Sequence, residues 1–230
     1  MTFCYFLTVN SKSVAPPEQL LSLANELAEI NGLAEVRVHT AASAHDPMLD
    51  DGQPPALVVQ LFFHNIESLE AAAVAHGPVQ STIAPILTAM HAHSISQQAM
   101  LARQFDIPEP LALSARDQTV CTYLVRYEGP ARDTNAWLSD YIHGHPPLML
   151  QLPGLRLLEI FTRIDWCGSI AWPRTEDLQR NQVVFDNPDA LTAALNSPLR
   201  SQMRQHYDAL PPFDGAVTHF PMLTRSVRPS

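Results

Sequence analysis

Residues 56–63 read ALVVQLFF and residues 122–127 read TYLVRY. Both runs are rich in β-branched and aromatic side chains, which favour strands. Gln60 alone interrupts the first, and Arg126 is the one charge in the second. A strand that is apolar at consecutive positions needs cover on both faces. That requirement governs how the rest of the chain is read.

Outward from these runs, FCYFLTV (3–9) is a strand. Pro16 opens a helix to Ile30, with Leu20, Leu23, Ala24 and Leu27 at helical spacing and Asn31-Gly32 as its stop. EVRVHTA (35–41) is a strand, and the Asp-, Pro- and Gly-rich stretch 43–55 is a loop. Helices follow over 66–76 and 78–90, then a strand at 94–104. The pattern restarts with a strand at 119–127, a helix from Thr134 to 145, and strands at 155–164 and 182–186. Helices at 188–195 and 198–210 and a strand at 218–226 complete it. Each half reads β-α-β-β-α-β. Short similarities recur at an offset of 122: Asn31-Gly32-Leu33 with Pro153-Gly154-Leu155, Phe63-His64-Asn65 with Phe185-Asp186-Asn187, and Met100-Leu101 with Met222-Leu223. Order and offset predict a duplication, with residues 1–106 and 119–230 as two tandem ferredoxin-like halves and 107–118 as their linker. The expected fold class is α+β. The open faces of two antiparallel sheets would pack sheet to sheet as an α/β barrel within one chain. Any homodimer would then use outer strands or helices.

Composition excludes several functions. The 230 residues are 46% apolar and 16% charged, with a net charge of −9 and a single lysine, Lys12. Such a chain is poorly suited to nucleic acid or an anionic membrane surface. No Gly-Lys pair exists, and the glycines nearest each other, Gly144 and Gly154, are ten residues apart. Neither a Walker loop nor a G-x-G-x-x-G fingerprint fits. No G-x-S-x-G elbow is present, and no apolar run approaches the ~18–20 residues of a membrane span. Cys4, Cys121 and Cys167 are odd in number and far apart, which predicts small buried residues and a cytoplasmic location.

Trp137, Tyr141 and His145 are spaced i, i+4, i+8 and so share one helical face. Pro146-Pro147 are expected to end or kink the helix at the histidine. A histidine there can serve as general base or acid, or can be a core residue bonded to a backbone carbonyl. Both readings stand. Tyr141 can orient His145 or donate a proton. His143 lies two residues from His145, about 200° away on a helix, so the H-x-H pair holds no metal. His91 and His93 have no acidic ligand nearby, and no metal site is expected. His219, on the last strand, is a candidate pocket residue. Arg126 needs a partner, for which Glu159 is the natural choice, or else anchors a substrate. At the 122 offset Leu21 and Leu23 stand where the second half has His143 and His145. This predicts a polar-lined cavity in the second half only.

Residues 137–155, WLSDYIHGHPPLMLQLPGL, resemble the EthD family of dimeric α+β barrel proteins. The similarity rests on Trp137 and Tyr141, then His145-Pro146-Pro147-Leu148, then Leu152-Pro153-Gly154-Leu155, and extends to NPDALTAALNSPLRSQMRQHYDAL at 187–210. It covers roughly 119–226. The resemblance implies a small-molecule protein that uses no cofactor, with a pocket between the sheet and the first helix of the half. His145 and Tyr141 would be catalytic there, and Trp137, His143, Leu148, His219 and Arg126 would contact the substrate. The implied chemistry is proton transfer on a small hydrophobic or aromatic carbonyl compound, in the manner of an isomerase, lyase, cyclase or cofactor-free monooxygenase. Two alternatives accompany it: a non-catalytic protein that holds a hydrophobic intermediate, and a haem-binding protein similar to chlorite dismutase.

Overall fold

The computed structural model describes residues 2–111 and 118–229; most of the predicted linker, 112–117, lies outside them. The elements run β1 (Thr2–Asn10), α1 (Pro17–Ala28), β2 (Leu33–Ala41), β3 (Leu57–Phe63), α2 (Ile66–Ala72), α3 (Pro78–Ala89) and β4 (Ser94–Phe105). They continue β5 (Val120–Tyr127), α4 (Thr134–Met149), β6 (Leu157–Arg163), β7 (Gln179–Phe185), α5 (Pro188–Leu195), α6 (Leu199–Asp208) and β8 (Val217–Val227).

The expectation of two tandem ferredoxin-like halves stacked sheet on sheet is wrong. The strands form one closed antiparallel barrel in the order β1-β3-β2-β8-β5-β7-β6-β4. Strands that were to lie in opposed sheets are hydrogen-bonded side by side, β2 to β8 from Val36↔Val227 to Ala41↔Met222 and β4 to β6 from Met100↔Arg163 to Phe105↔Leu158. The physical reason lies at the edges. Two stacked sheets would leave rows of unpaired backbone groups, whereas closure pairs every strand on both sides.

Closure also accounts for the doubly apolar strands. On β3, Leu57, Val59, Leu61 and Phe63 face outward to the core beneath α1, α2 and α3, while Val58 and Phe62 face the lumen with Cys4, Phe6, Met100, Phe161 and Met222. On β5, Cys121, Tyr123, Val125 and Tyr127 face a second outer core beneath α4, α5 and α6. The lumen also carries polar side chains between its apolar layers. Arg37 reaches Glu35 at 2.6 Å and pairs with Glu159. Gln182 donates to Glu159, and Gln60 donates to Gln182 at 2.8 Å. His39 Nδ1 contacts Thr224 at 2.8 Å. Arg126, on the lumen face of β5, pairs with Asp177 through two 2.9 Å bonds and not with Glu159, which Arg37 occupies.

Two local expectations fail as well. Helix α4 runs to Met149 and includes Pro146 and Pro147, so it does not end at the histidine. The prolines remove two i→i−4 donors, but Pro146 and Met149 are buried, and their packing carries the helix one turn further. Cys167 is exposed, whereas Cys4 and Cys121 are buried. No described helix is long and apolar enough to cross a membrane.

Candidate functional site

A cavity of about 320 Å³ lies between the outer face of β5, β7 and β8 and helices α4 and α6. The three strands present alternate side chains to it: Tyr123, Val125 and Tyr127 from β5, Asn181 and Val183 from β7, Val217 and His219 from β8. From α4 come Tyr141, His145 and Met149, one turn apart as their spacing requires, and from α6 come Met203 and Tyr207. Leu49 and Asp51, from the loop after β2, also line it. The polar cavity is therefore not confined to the second half, contrary to expectation.

His145 is 6% exposed. Its ring lies against Tyr141, centroids 4.7 Å apart, and its Nδ1 is 3.2 Å from His206 Nδ1, so one of these two nitrogens donates to the other. Gly144 makes that approach possible, because a Cβ there would sit 2.1 Å from His206 Nε2. Burial lowers the His145 pKa, and His206, Arg200 and His219 push it further, to about 3. The ring is neutral at physiological pH and carries a single N–H. Tyr141 is fully buried, within 3.0 Å of Tyr127 Oη and accepting from Asn181 Nδ2. Burial holds its pKa well above the usual value.

His219 sits on the opposite wall. Asp51 accepts both its backbone N–H and its Nδ1–H through Oδ2, each at 2.8 Å. These bonds fix the tautomer and leave Nε2 as the lone-pair nitrogen. The ring stacks on Tyr123, centroids 5.7 Å apart. Burial lowers its pKa by more than Asp51 raises it. Next to this pair, Asp46 accepts from the Tyr123 hydroxyl, from Arg200 Nη2 at 3.0 Å and from the Met48 N–H at 2.8 Å. Burial pushes the Asp46 carboxyl up, but these donors outweigh it and hold it below the usual range. Asp46 and Asp51 thus pin the loop over the cavity. Tyr123→Phe is expected to cost about 1–2 kcal/mol, the price of leaving a buried acceptor short of one donor. Denaturant unfolding at neutral pH measures it, and an unchanged midpoint would mean that the loop is held some other way.

The remaining predicted site residues disperse. Trp137 is fully buried behind the cavity, stacked on Tyr141 at 5.1 Å and near Phe213 and Tyr127. His143 is exposed, its Nδ1 2.7 Å from Ser139 O on its own helix. Leu148 packs against the outer core without lining the cavity. Arg126 points into the lumen, on the far side of the sheet from His145. Sequence reasoning missed Asp46 and Asp51, which carry no periodic signal inside a loop, and Arg200, Asn181 and His206. No group of three or more metal-ligating side chains suited to an ion occurs among the described residues.

No protein-family model matches the chain, and no curated protein matches it in sequence. Solved structures do match. A candidate monooxygenase from Lactobacillus acidophilus is 10% identical, with 97% of this chain and 93% of that one covered and a TM-score of 0.58. An anthrone oxidase-like protein is 13% identical, with 98% and 92% covered and a TM-score of 0.61. What the chain shares with them is the fold. An EthD-family protein from Bacillus halodurans aligns over only 43% of this chain and 96% of its own, at 16% identity and a TM-score of 0.34.

Proposed function

We propose that the cavity between the sheet and helices α4 and α6 binds a small apolar or aromatic carbonyl compound and moves a proton on it. The observation that carries this reading is the pairing of Asp51 with His219 on one wall and the buried, neutral His145 on another, with tyrosine, methionine and leucine side chains between them. Two histidines poised differently in one apolar cavity suit proton transfer at carbon.

In this proposal His219 Nε2 takes the proton from the carbon next to the carbonyl. The C–H electron pair moves into the new carbon–carbon double bond, and the carbonyl oxygen becomes an enolate. Asp51 stabilises the imidazolium that forms. With His206 Nδ1–H as the donor in their contact, His145 carries its proton on Nε2 and donates that N–H to the enolate oxygen. Return of the proton to a different carbon is an isomerisation. The names of the structural neighbours fit the same first step. An anthrone is an enolisable aromatic ketone, and loss of a methylene proton gives the anion that an oxidase or monooxygenase reaction consumes.

The test is deuterium exchange into aryl ketones with an activated methylene group, followed by NMR in D₂O. The protein should accelerate exchange. His219→Gln should lose about 100-fold or more of that acceleration, a typical contribution of a general base, and His145→Gln should lose a smaller factor. Saturable ketone binding with no exchange above the buffer rate would instead make this a binding protein that holds its ligand unchanged.

A further inference from the structure

The barrel lumen contains a second cavity, of about 170 Å³, at the end of the barrel where β1 and β5 finish and β3, β7 and β8 begin. Phe6, Val58, Leu124, Phe161 and Phe220 form its apolar wall. A closed apolar space of about 150 Å³ admits a benzene ring. Arg126 and Arg180 bring guanidinium groups to the same space.

The charges there do not balance. Arg126 holds Asp177 bidentately, with Nε to Oδ2 and Nη2 to Oδ1 at 2.9 Å each. Arg180 Nε donates to the same Asp177 Oδ2 at 2.7 Å, and its Nη2 lies 2.6 Å from that oxygen. Two guanidinium groups thus share one buried carboxylate. Glu128 is 3.4 Å from Arg126, but its side chain is 40% exposed and screened by water. The Nη1 groups of both arginines take no part in these bonds. Arg180 lies over the Phe6 ring, 4.5 Å from its centroid. Burial lowers the Arg180 pKa, Asp177 raises it, and the neighbouring Arg126 lowers it again, as expected for a buried cation without a full counter-charge.

The geometry points to a second binding site in the lumen for a small monocarboxylate with a compact apolar body, its carboxylate on Arg126 and Arg180 and its body against Phe6, Phe161 and Phe220. A carboxylate matches the planar fork of a guanidinium and supplies the missing negative charge. A neutral molecule of the same shape would leave that charge uncompensated. Phosphate-sized dianions lack the body to fill the apolar wall.

This site lies on the opposite face of β5 and β7 from His145 and His219, so its test is independent of the proposed proton transfer. Sodium benzoate is the probe and benzamide its neutral isostere, each titrated calorimetrically into the full chain. Benzoate is expected to bind saturably, and benzamide at least tenfold more weakly. Arg126→Gln should weaken benzoate at least tenfold, and Thr218→Leu, which narrows the same cavity beside Arg126, should weaken both ligands. His145→Gln should leave both unchanged. Arg126 is partly exposed, so its replacement is the one least apt to disturb folding. No saturation by benzoate below about 10 mM, or equal affinity for benzamide, overturns the site. So does benzoate binding that survives Arg126→Gln and disappears in His145→Gln, which would place the ligand in the outer cavity.

Discussion

On acidification from pH 7.5 to 4.5 the protein is expected to lose about 5 kcal/mol of stability through His39 and His145. Burial pushes each below the ordinary histidine value, to about 3, with Arg37 contributing at His39 and His206 at His145. Between the two values the unfolded chain takes up a proton at each position and the folded chain does not. The unfolded state therefore binds more protons, and folding weakens as pH falls. Each histidine supplies up to about 1.4 kcal/mol per pH unit below its unfolded pKa. The buried carboxylates held low by arginines, Glu35 and Asp177, act in the same direction but only nearer their own unfolded values, about 4. The upper part of the window thus belongs to histidine. A loss of this size rivals the whole stability of a typical domain. Urea unfolding at pH 7.5, 6.0 and 4.5 measures it. His39→Gln should roughly halve the slope. A free energy of unfolding that stays flat over this range would mean that these rings are hydrated and charged.

Arg37→Leu is expected to destabilise the fold by about 3–5 kcal/mol, the usual cost of stripping one partner from a buried ion pair. Arg37 stands between Glu35 and Glu159 in the lumen. Without it Glu35 keeps Arg228 at 2.9 Å, but Glu159 retains only the amide of Gln182. Replacing both members of the pair by leucine should recover part of the loss, because the Phe62 ring already lies 4.3 Å from the Arg37 guanidinium. The two single variants and the double variant form a cycle whose coupling is expected to exceed about 2 kcal/mol. Simple additivity would show that the lumen is wet enough to screen the pair.

The residues that could be read from sequence are those whose signal is periodic. Helical spacing put Tyr141 and His145 on one face, and both line the outer cavity. The same spacing included Trp137, which shares the face but is packed behind Tyr141, because periodicity gives direction and not depth. His143, expected among the substrate contacts, is exposed instead. The apolar runs on β3 and β5 announced that both faces are covered, but not by what. Hydrophobic pattern fixes faces, whereas closure is a property of edges, which depend on backbone pairing between distant strands. Arg126 declared its need for a partner, yet Asp177 lies in the irregular stretch between β6 and β7, where no spacing rule pointed to it. Asp46 and Asp51 were hidden for the same reason.

The seam between β2 and β8 carries a consequence for how the chain reaches its fold. Val36 pairs with Val227, so this seam joins residues 191 apart in the sequence, 227 − 36. Loop-closure entropy opposes such a pairing until most other contacts exist, which places it late and makes folding slow. During synthesis β2 emerges long before β8 and waits with one flank unpaired. For that interval the nascent barrel is an open, sticky ribbon, and its exposure to wrong partners lasts as long as translation of the segments in between.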